Sequence, residues 1–206
     1  MKVLLINGSP NRKGCTYTAL SEVEKTLQEN GIETEIIHVG NKDIRGCIGC
    51  RQCKKNGKCV FDDLVNEVAV KFAECDGIVI GSPVYYASAN GTLISFLDRL
   101  FYSAPVDKRM KVGAAVVSAR RAGNTSTFDE LNKYFTISEM PIVSSQYWNN
   151  VHGYTPEDVY ADEEGCQIMR VLGRNMAFLI KAIDLAKKEY GLPKQEENHL
   201  FTSFHR

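Results

Sequence analysis

Apolar residues along this chain fall into two alternating kinds of segment: short unbroken runs, and longer stretches in which they recur at helical spacing. KVLLIN (2–7) is unbroken and ends in Gly8-Ser9-Pro10, the form of a parallel strand covered on both faces. A helical stretch follows from about Thr16 to Gln28 and is stopped by Asn30-Gly31. IETEIIHV (32–39) alternates, which predicts a less buried strand. Asp62-Asp63 can cap a helix that gathers Leu64, Val65, Val68, Ala69 and Phe72 on one face, and GIVIGSP (77–83) reads as the strand after it. Leu93, Ile94, Leu97, Leu100 and Phe101 mark the next helix. KVGAAVVSA (111–119) is another buried strand, Thr127 to Phe135 another helix, and PIVSS (141–145) a short strand. A final helix covers roughly Gly165 to Glu189, with Asp162, Glu163 and Glu164 at the positive end of its dipole. Five strands alternating with five helices predict an α/β fold, a doubly wound parallel sheet with helices on both faces.

Composition adds limits. With 206 residues, 44% of them hydrophobic, one core is expected: a single domain over 1–190, with a cysteine-rich insert at 42–60 and a tail at 191–206. The 25 basic and 25 acidic side chains cancel, so no overall field invites nucleic acid or an anionic membrane. No apolar run approaches the ~18 residues of a spanning helix, and MKVLLINGSP is far shorter than a signal-peptide core. A cytoplasmic location follows as an expectation. In a reducing compartment, the 7 cysteines read first as free thiols, metal ligands or redox groups.

Sheets of this kind bind ligands beyond the carboxyl ends of their strands, where the strand order reverses. Three loops predicted there carry unusual chemistry. GSPNRKGCT (8–16) combines Gly8 and Gly14 with the hydroxyls of Ser9 and Thr16 and leads into a helix N-terminus, a phosphate cradle. It is neither GxGxxG nor a Walker A loop, and the second strand does not end in an acid for an adenosine ribose, so a monophosphate is favoured over a dinucleotide. SPVYYASAN (82–90) offers Pro83, two flat tyrosines and small residues that let a ring approach the chain. SARRAGNTS (118–126) adds hydroxyls, glycine and two arginines. Each loop alone could be a polar turn or a packed corner. Converging, they suit a flat heterocycle with a ribityl phosphate tail, as in FMN.

The sheet pattern, together with GSPNRKGCT, GSPVYYASANGTLISFLDRL (81–100) and SARRAGNTSTFDEL (118–131), resembles the flavodoxin-like NAD(P)H-dependent FMN reductase superfamily, in its iron-sulfur flavoprotein branch. The resemblance covers about residues 1–150. It implies five parallel strands in the order 2-1-3-4-5, non-covalent FMN, and a homodimer or homotetramer. It also implies that Ser9, Asn11, Cys15 and Thr16, with Gly14 in the cradle, surround the phosphate. Pro83, Val84, Tyr85 and Tyr86 would run along the ring, and Ser118, Arg120 and Gly123 would border its ribityl side or rim. Position 15 departs from the family's usual Asn, Ser or Gly, and a thiol is a poor donor, so phosphate binding there must lean on the backbone.

CIGCRQCKKNGKC (47–59) sets Cys47, Cys50, Cys53 and Cys59 in a C-x2-C-x2-C-x5-C arrangement. Four thiolates can take zinc, an iron-sulfur cluster, two disulfides or nothing. Two overlapping CxxC units suit three corners of a cubane better than the two separated knuckles of structural zinc, so the run favours a [4Fe-4S] cluster. The resemblance carries that assignment to these four residues. Lys42, Arg45, Arg51, Lys54, Lys55 and Lys58 surround them with only Asp43 opposed, a field for an anionic cluster or an acidic partner. The resulting expectation is an FMN-dependent oxidoreductase between NAD(P)H or ferredoxin and a quinone, flavin, nitro compound, disulfide or protein acceptor. The alternative is a flavin-free zinc-binding or regulatory protein. No side chain is assigned as acid or base. Tyr134, Phe135, Tyr147, Trp148 and Tyr154 are interface anchors or core, and Trp148 could also stack at the site.

Overall fold

A computed structural model describes the chain apart from residues 87, 199, 201 and 203–206. Its elements run β1 (Lys2–Asn7), α1 (Cys15–Glu29), β2 (Glu33–His38), α2 (Cys53–Asn56), α3 (Leu64–Glu74), β3 (Gly77–Tyr85), β4 (Ser88–Ala89), α4 (Gly91–Ser103), β5 (Val112–Ala119), α5 (Asn124–Thr136), β6 (Asn150–His152), α6 (Pro156–Ala161) and α7 (Glu163–Tyr190). The main sheet has the order β2-β1-β3-β5-β6 and is parallel throughout, so its five strands stand 2-1-3-4-5 as expected. The order reverses between β1 and β3.

Alternation along each strand sends side chains to two separate cores. On one face Leu4, Ile6, Ile78, Ile80 and Val117 meet Phe72 of α3, Phe96 and Leu97 of α4, and Leu131 and Phe135 of α5. On the other Val3, Leu5, Val79 and Val116 meet Leu20 and Val23 of α1 and Met169, Leu172 and Met176 of α7. Burying each such side chain stabilises by about 1.5–3 kcal/mol, which explains why the strands read as unbroken apolar runs.

The structure differs from the sequence expectation at the last strand. PIVSS touches β5 only through an isolated bridge between Ile142 and Gly113, and the fifth parallel strand is instead Asn150–His152. Between the two contacts the chain loops away, and Asn149 spans the gap. Its side chain donates to Ala115 O (3.1 Å), and its carbonyl accepts from Val117 N (2.9 Å). The hairpin strand β4 and helices α2 and α6 are additional, and α7 starts at Glu163.

Helix starts separate into two groups. Asp63, Asn90, Thr155 and Asp162 cap α3, α4, α6 and α7 through their side chains. Helices α1 and α5 begin at Gly14 and Gly123, with no side-chain cap and no acid in the first turn.

Candidate functional site

The loop after β1 is folded by a side chain from the strand itself. Buried Asn7 accepts from Ser9 N (3.0 Å) and donates to Arg12 O (3.1 Å), and His38 Nε2 lies 2.7 Å from Ser9 O. Ser9 Oγ in turn accepts from Asn11 N (3.2 Å). Gly8 donates to Gly81 O at 2.8 Å, and a Cβ there would lie 2.5 Å from Leu93 Cδ2, so this crossing of β1 and β3 admits only glycine. The loop after β3 is pinned from α5. The Glu130 carboxylate accepts from Ser88 Oγ and from Ala89 N (3.2 Å), which fixes the Tyr85–Ser88 turn.

These loops converge on an open cavity of about 620 Å³. Ser9, Asn11, Gly14, Cys15 and Thr16 line one part, Pro83, Val84 and Tyr85 another, and Ser118 and Arg120 a third. Ten of the twelve residues singled out from the sequence as cofactor-binding therefore share one cavity. Tyr86 and Gly123 do not line it. Tyr86 has a positive φ of 43° and projects into solvent, and Gly123 packs beneath Val84.

Sequence reasoning missed a further wall, Gly153 to Pro156. Gly153 N donates to Ala119 O (3.1 Å), and the amides of Tyr154 and Thr155 both donate to Asp158 Oδ2 at 2.9 Å. The signal was present as Thr155-Pro156-Glu157-Asp158, a capping box with proline at the first helical position. Trp148 lies elsewhere, tilted against Tyr147 with ring centroids 5.1 Å apart.

The charged side chains that line the cavity have one sign. Arg12, Lys13 and Arg120 line it and no carboxylate does. The uncapped end of α1 opens into it, and its first-turn amides carry the positive end of the dipole. Burial pushes the Cys15 thiol up, and Asp158 and Glu157 add to the shift against a backbone hydrogen bond, so no thiolate opposes an anion at neutral pH. Thr16 Oγ1 and Ser118 Oγ lie 2.8 Å apart and buried. One of their two O–H groups makes that bond, which leaves the other free to donate.

NADPH-dependent FMN reductases, as a family, match residues 1–155. The chain belongs to this family. Among curated relatives, an iron-sulfur flavoprotein of Methanocaldococcus jannaschii is 36% identical over 194 residues, covering 89% of this chain and 99% of the relative. A second iron-sulfur flavoprotein of that organism is 31% identical over 185 residues, covering 82% and 92%. The crystal structure of RosB with bound 8-demethyl-8-formylriboflavin-5'-phosphate superposes with a TM-score of 0.69 over 100% of this chain and 92% of that one. At 14% identity it supports the fold alone. Family and cavity together make this chain a flavin-binding oxidoreductase of flavodoxin-like fold. No described helix is long and apolar enough to cross a membrane.

The expectation of a [4Fe-4S] cluster is corrected. Among the described residues no three His, Cys, Asp or Glu side chains are grouped so as to hold a metal ion, and this applies to Cys47, Cys50, Cys53 and Cys59. Cys47 and Cys50 are exposed on a segment without regular structure, Cys53 starts the single-turn α2, and Cys59 Sγ accepts from Arg99 Nε at 3.3 Å. The zinc alternative meets the same finding. The cysteine segment also packs apart from the three strand-end loops. It lies along α4, where buried Arg99 donates to Arg45 O (3.1 Å), to Phe61 O (3.3 Å) and to both oxygens of Asp63. The small cavity around its cysteines shares no lining residue with the 620 Å³ cavity.

Proposed function

We propose that the chain holds FMN in the 620 Å³ cavity and moves electrons between NAD(P)H or ferredoxin and a small-molecule or protein acceptor such as a quinone, flavin, nitro compound or disulfide. The observation that carries the reading is the convergence of the three strand-end loops on a cavity lined by three cations and no carboxylate, with an uncapped helix end at its wall. FMN supplies hydride and single-electron chemistry when bound. The protein's part is placement. The α1 amides, Ser9 Oγ–H and the spare O–H of the Thr16–Ser118 pair hold the phosphate. Pro83, Val84 and Tyr85 present a flat wall to the ring. Arg120 stands at the rim as a fixed positive charge. None of the lining side chains is a carboxylate or histidine, and no side chain is assigned as acid or base.

The test separates phosphate from ring. Thr16→Val removes one hydroxyl of the pair, and a hydrogen bond to a charged group is worth about 1.5–3 kcal/mol. FMN affinity should fall roughly 10- to 100-fold while riboflavin affinity changes little. Equal loss for both ligands would mean a folding defect. Unchanged FMN affinity in a Ser9→Ala, Thr16→Val double variant would remove the side chains from the phosphate site. The donor is then read from bleaching of the flavin absorbance by NADH, NADPH or reduced ferredoxin under anaerobic conditions.

A further inference from the structure

Cys50-Arg51-Gln52-Cys53 is a CxxC unit that the 620 Å³ cavity leaves unused. Cys50 is exposed, Cys53 is half-buried at the start of α2, and both are free thiols. With Cys47 and Cys59 they line one small cavity of about 20 Å³, room for about one water molecule. Among the described residues no three such side chains are grouped to hold a metal ion, but a disulfide needs only two.

The four thiols are held differently. Lys54 N donates to Arg51 O (3.1 Å) and Asn56 N to Gln52 O (2.9 Å), which closes the turn that carries Cys53. Residues 46–50 have no regular structure and, among the described residues, make no backbone-to-backbone hydrogen bond. Cys50 can therefore approach Cys53 without breaking one. Cys59 is clamped instead: Arg99 Nε donates to its Sγ, and Asn66 accepts from its N–H (3.0 Å) and donates to its carbonyl (3.1 Å). Cys47 also lines a separate groove with Phe101 and Ile137.

Charge around the unit selects its reactant. Arg51 lies within it and Lys54, Lys55 and Lys58 follow; all four are exposed, and none forms an ion pair among the described residues. The acids nearest in sequence are Asp43 and Asp62, since Asp63 is spent on Arg99. Such a field draws anions. Ser103 lines the same cavity, is 6% exposed, and its Oγ has no hydrogen-bond partner among the described residues. Its O–H is free for a sulfur that carries charge.

We propose that Cys50 and Cys53 form a dithiol–disulfide site for anionic disulfides of the glutathione class. The exposed Cys50, as thiolate, attacks one sulfur of the incoming disulfide. The external S–S bond breaks, one thiolate leaves, and a mixed disulfide forms on Cys50. Cys53 gives its proton to solvent and attacks Cys50 Sγ, and the second external sulfur leaves as thiolate. The chain thereby loses two electrons and two protons, and the disulfide becomes two thiols. A dithiol reductant reverses the sequence. No electron passes through the flavin, so the proposal stands apart from the flavin assignment.

Glutathione disulfide and cystamine, a disulfide of opposite charge, serve as probes on the full chain isolated under reducing, anaerobic conditions. Remaining thiols are trapped with N-ethylmaleimide and mapped by mass spectrometry. Glutathione disulfide should join Cys50 to Cys53 and leave the buried Cys75 and Cys166 free. Cys53→Ser should stop at the mixed disulfide on Cys50, whereas Cys47→Ser and Cys59→Ser should close as the wild type does. The rate ratio of glutathione disulfide to cystamine should fall roughly tenfold between about 0.01 M and 1 M salt, as the Debye length shrinks from about 30 to about 3 Å. At the lower salt it should also fall several-fold in a Lys54→Gln, Lys55→Gln variant. The wild-type map reads the pairing directly, whatever a variant does to folding. A map joining Cys50 to Cys47 or Cys59, or a wild type that stops at the mixed disulfide, would overturn the proposal. So would a salt-independent ratio, or bound iron or zinc that keeps the segment's thiols from reacting.

Discussion

Gly123 shows how a residue outside the cavity wall still shapes it. Its φ is +86°, and a Cβ would lie 2.9 Å from Val84 Cγ1, so it both turns the chain into α5 and leaves room for the wall of the ring pocket. Gly123→Ala should cost about 1 kcal/mol or more in stability and weaken FMN and riboflavin alike, because the ring wall moves and the phosphate cradle does not. A riboflavin titration beside the FMN titration checks this, and weakening confined to FMN would count against it. The thiols differ by environment. Burial above all pushes Cys75 up to about 11, with nearby Lys111 working the other way, whereas Cys50 is exposed. Only the thiolate is nucleophilic, so at pH 8 in the folded protein Cys50 should alkylate at least a hundredfold faster than Cys75, and the difference should vanish in denaturant. The cavity residues were readable in sequence because glycine, hydroxyl and tyrosine stood at predicted strand ends. Asn7 and His38, which hold the phosphate loop in shape, were not, since each looks like an ordinary strand residue until the loop lies across it.

At the level of elements, the buried strands were legible because covering both faces demands unbroken apolar runs. The last strand was not. Asn150–His152 has no apolar run, and its place is set by Asn149 hydrogen bonding into β5, while the more strand-like PIVSS supplies a single bridge. Asp63 was legible as the cap of α3, but sequence gave no hint that the same carboxylate holds Arg99. Arg99 is only 1% exposed and ties α4 to the cysteine segment through Arg45 O, Phe61 O and Cys59 Sγ. Removing one partner of such a pair strands a buried charge. Asp63→Asn should therefore destabilise by about 3 kcal/mol, against about 0.5 kcal/mol for Asp62→Asn, in urea unfolding. Glu35 of β2 joins Lys71 of α3 and Lys2 of β1, and the Lys71 hydrogen bond, ahead of Lys2, holds its carboxyl below the usual range. A depressed carboxylate contributes stability that is fully present above its unfolded pKa and lost as pH falls through its folded value. Glu35→Gln should remove that part of the acid limb, by no more than about 1 kcal/mol for a pair this close to solvent. An unchanged slope of stability against pH below 5 would show the pair to be inert.

For the whole molecule, the three strand-end loops stand at the carboxyl ends of the sheet and the cysteine segment packs along α4. The cavity around the cysteines and the proposed flavin cavity share no residue. Of the aromatics read as interface anchors, Phe135 is core and Tyr134 is spent on Asp98, to which its hydroxyl donates at 2.6 Å. Tyr147, Trp148 and Tyr154 remain exposed. The first two lie on the excursion before β6, the 3-residue strand that ends the sheet. Nearby, Asn175 donates to Ser144 O at 2.8 Å, and Phe178, one turn along α7, is 75% exposed. An exposed aromatic patch beside a short edge strand is the composition that interfaces use, and it fits a homodimer or a larger homo-oligomer. Light scattering at micromolar concentration should give at least twice the mass of one chain. Trp148→Asp, at an exposed position outside the cavity lining, should shift the mass toward the monomer and leave riboflavin affinity within about twofold if the cavity is complete in one chain. A monomeric wild type would end the assembly argument. A dimer that Trp148→Asp leaves intact would move the interface away from the β6 edge.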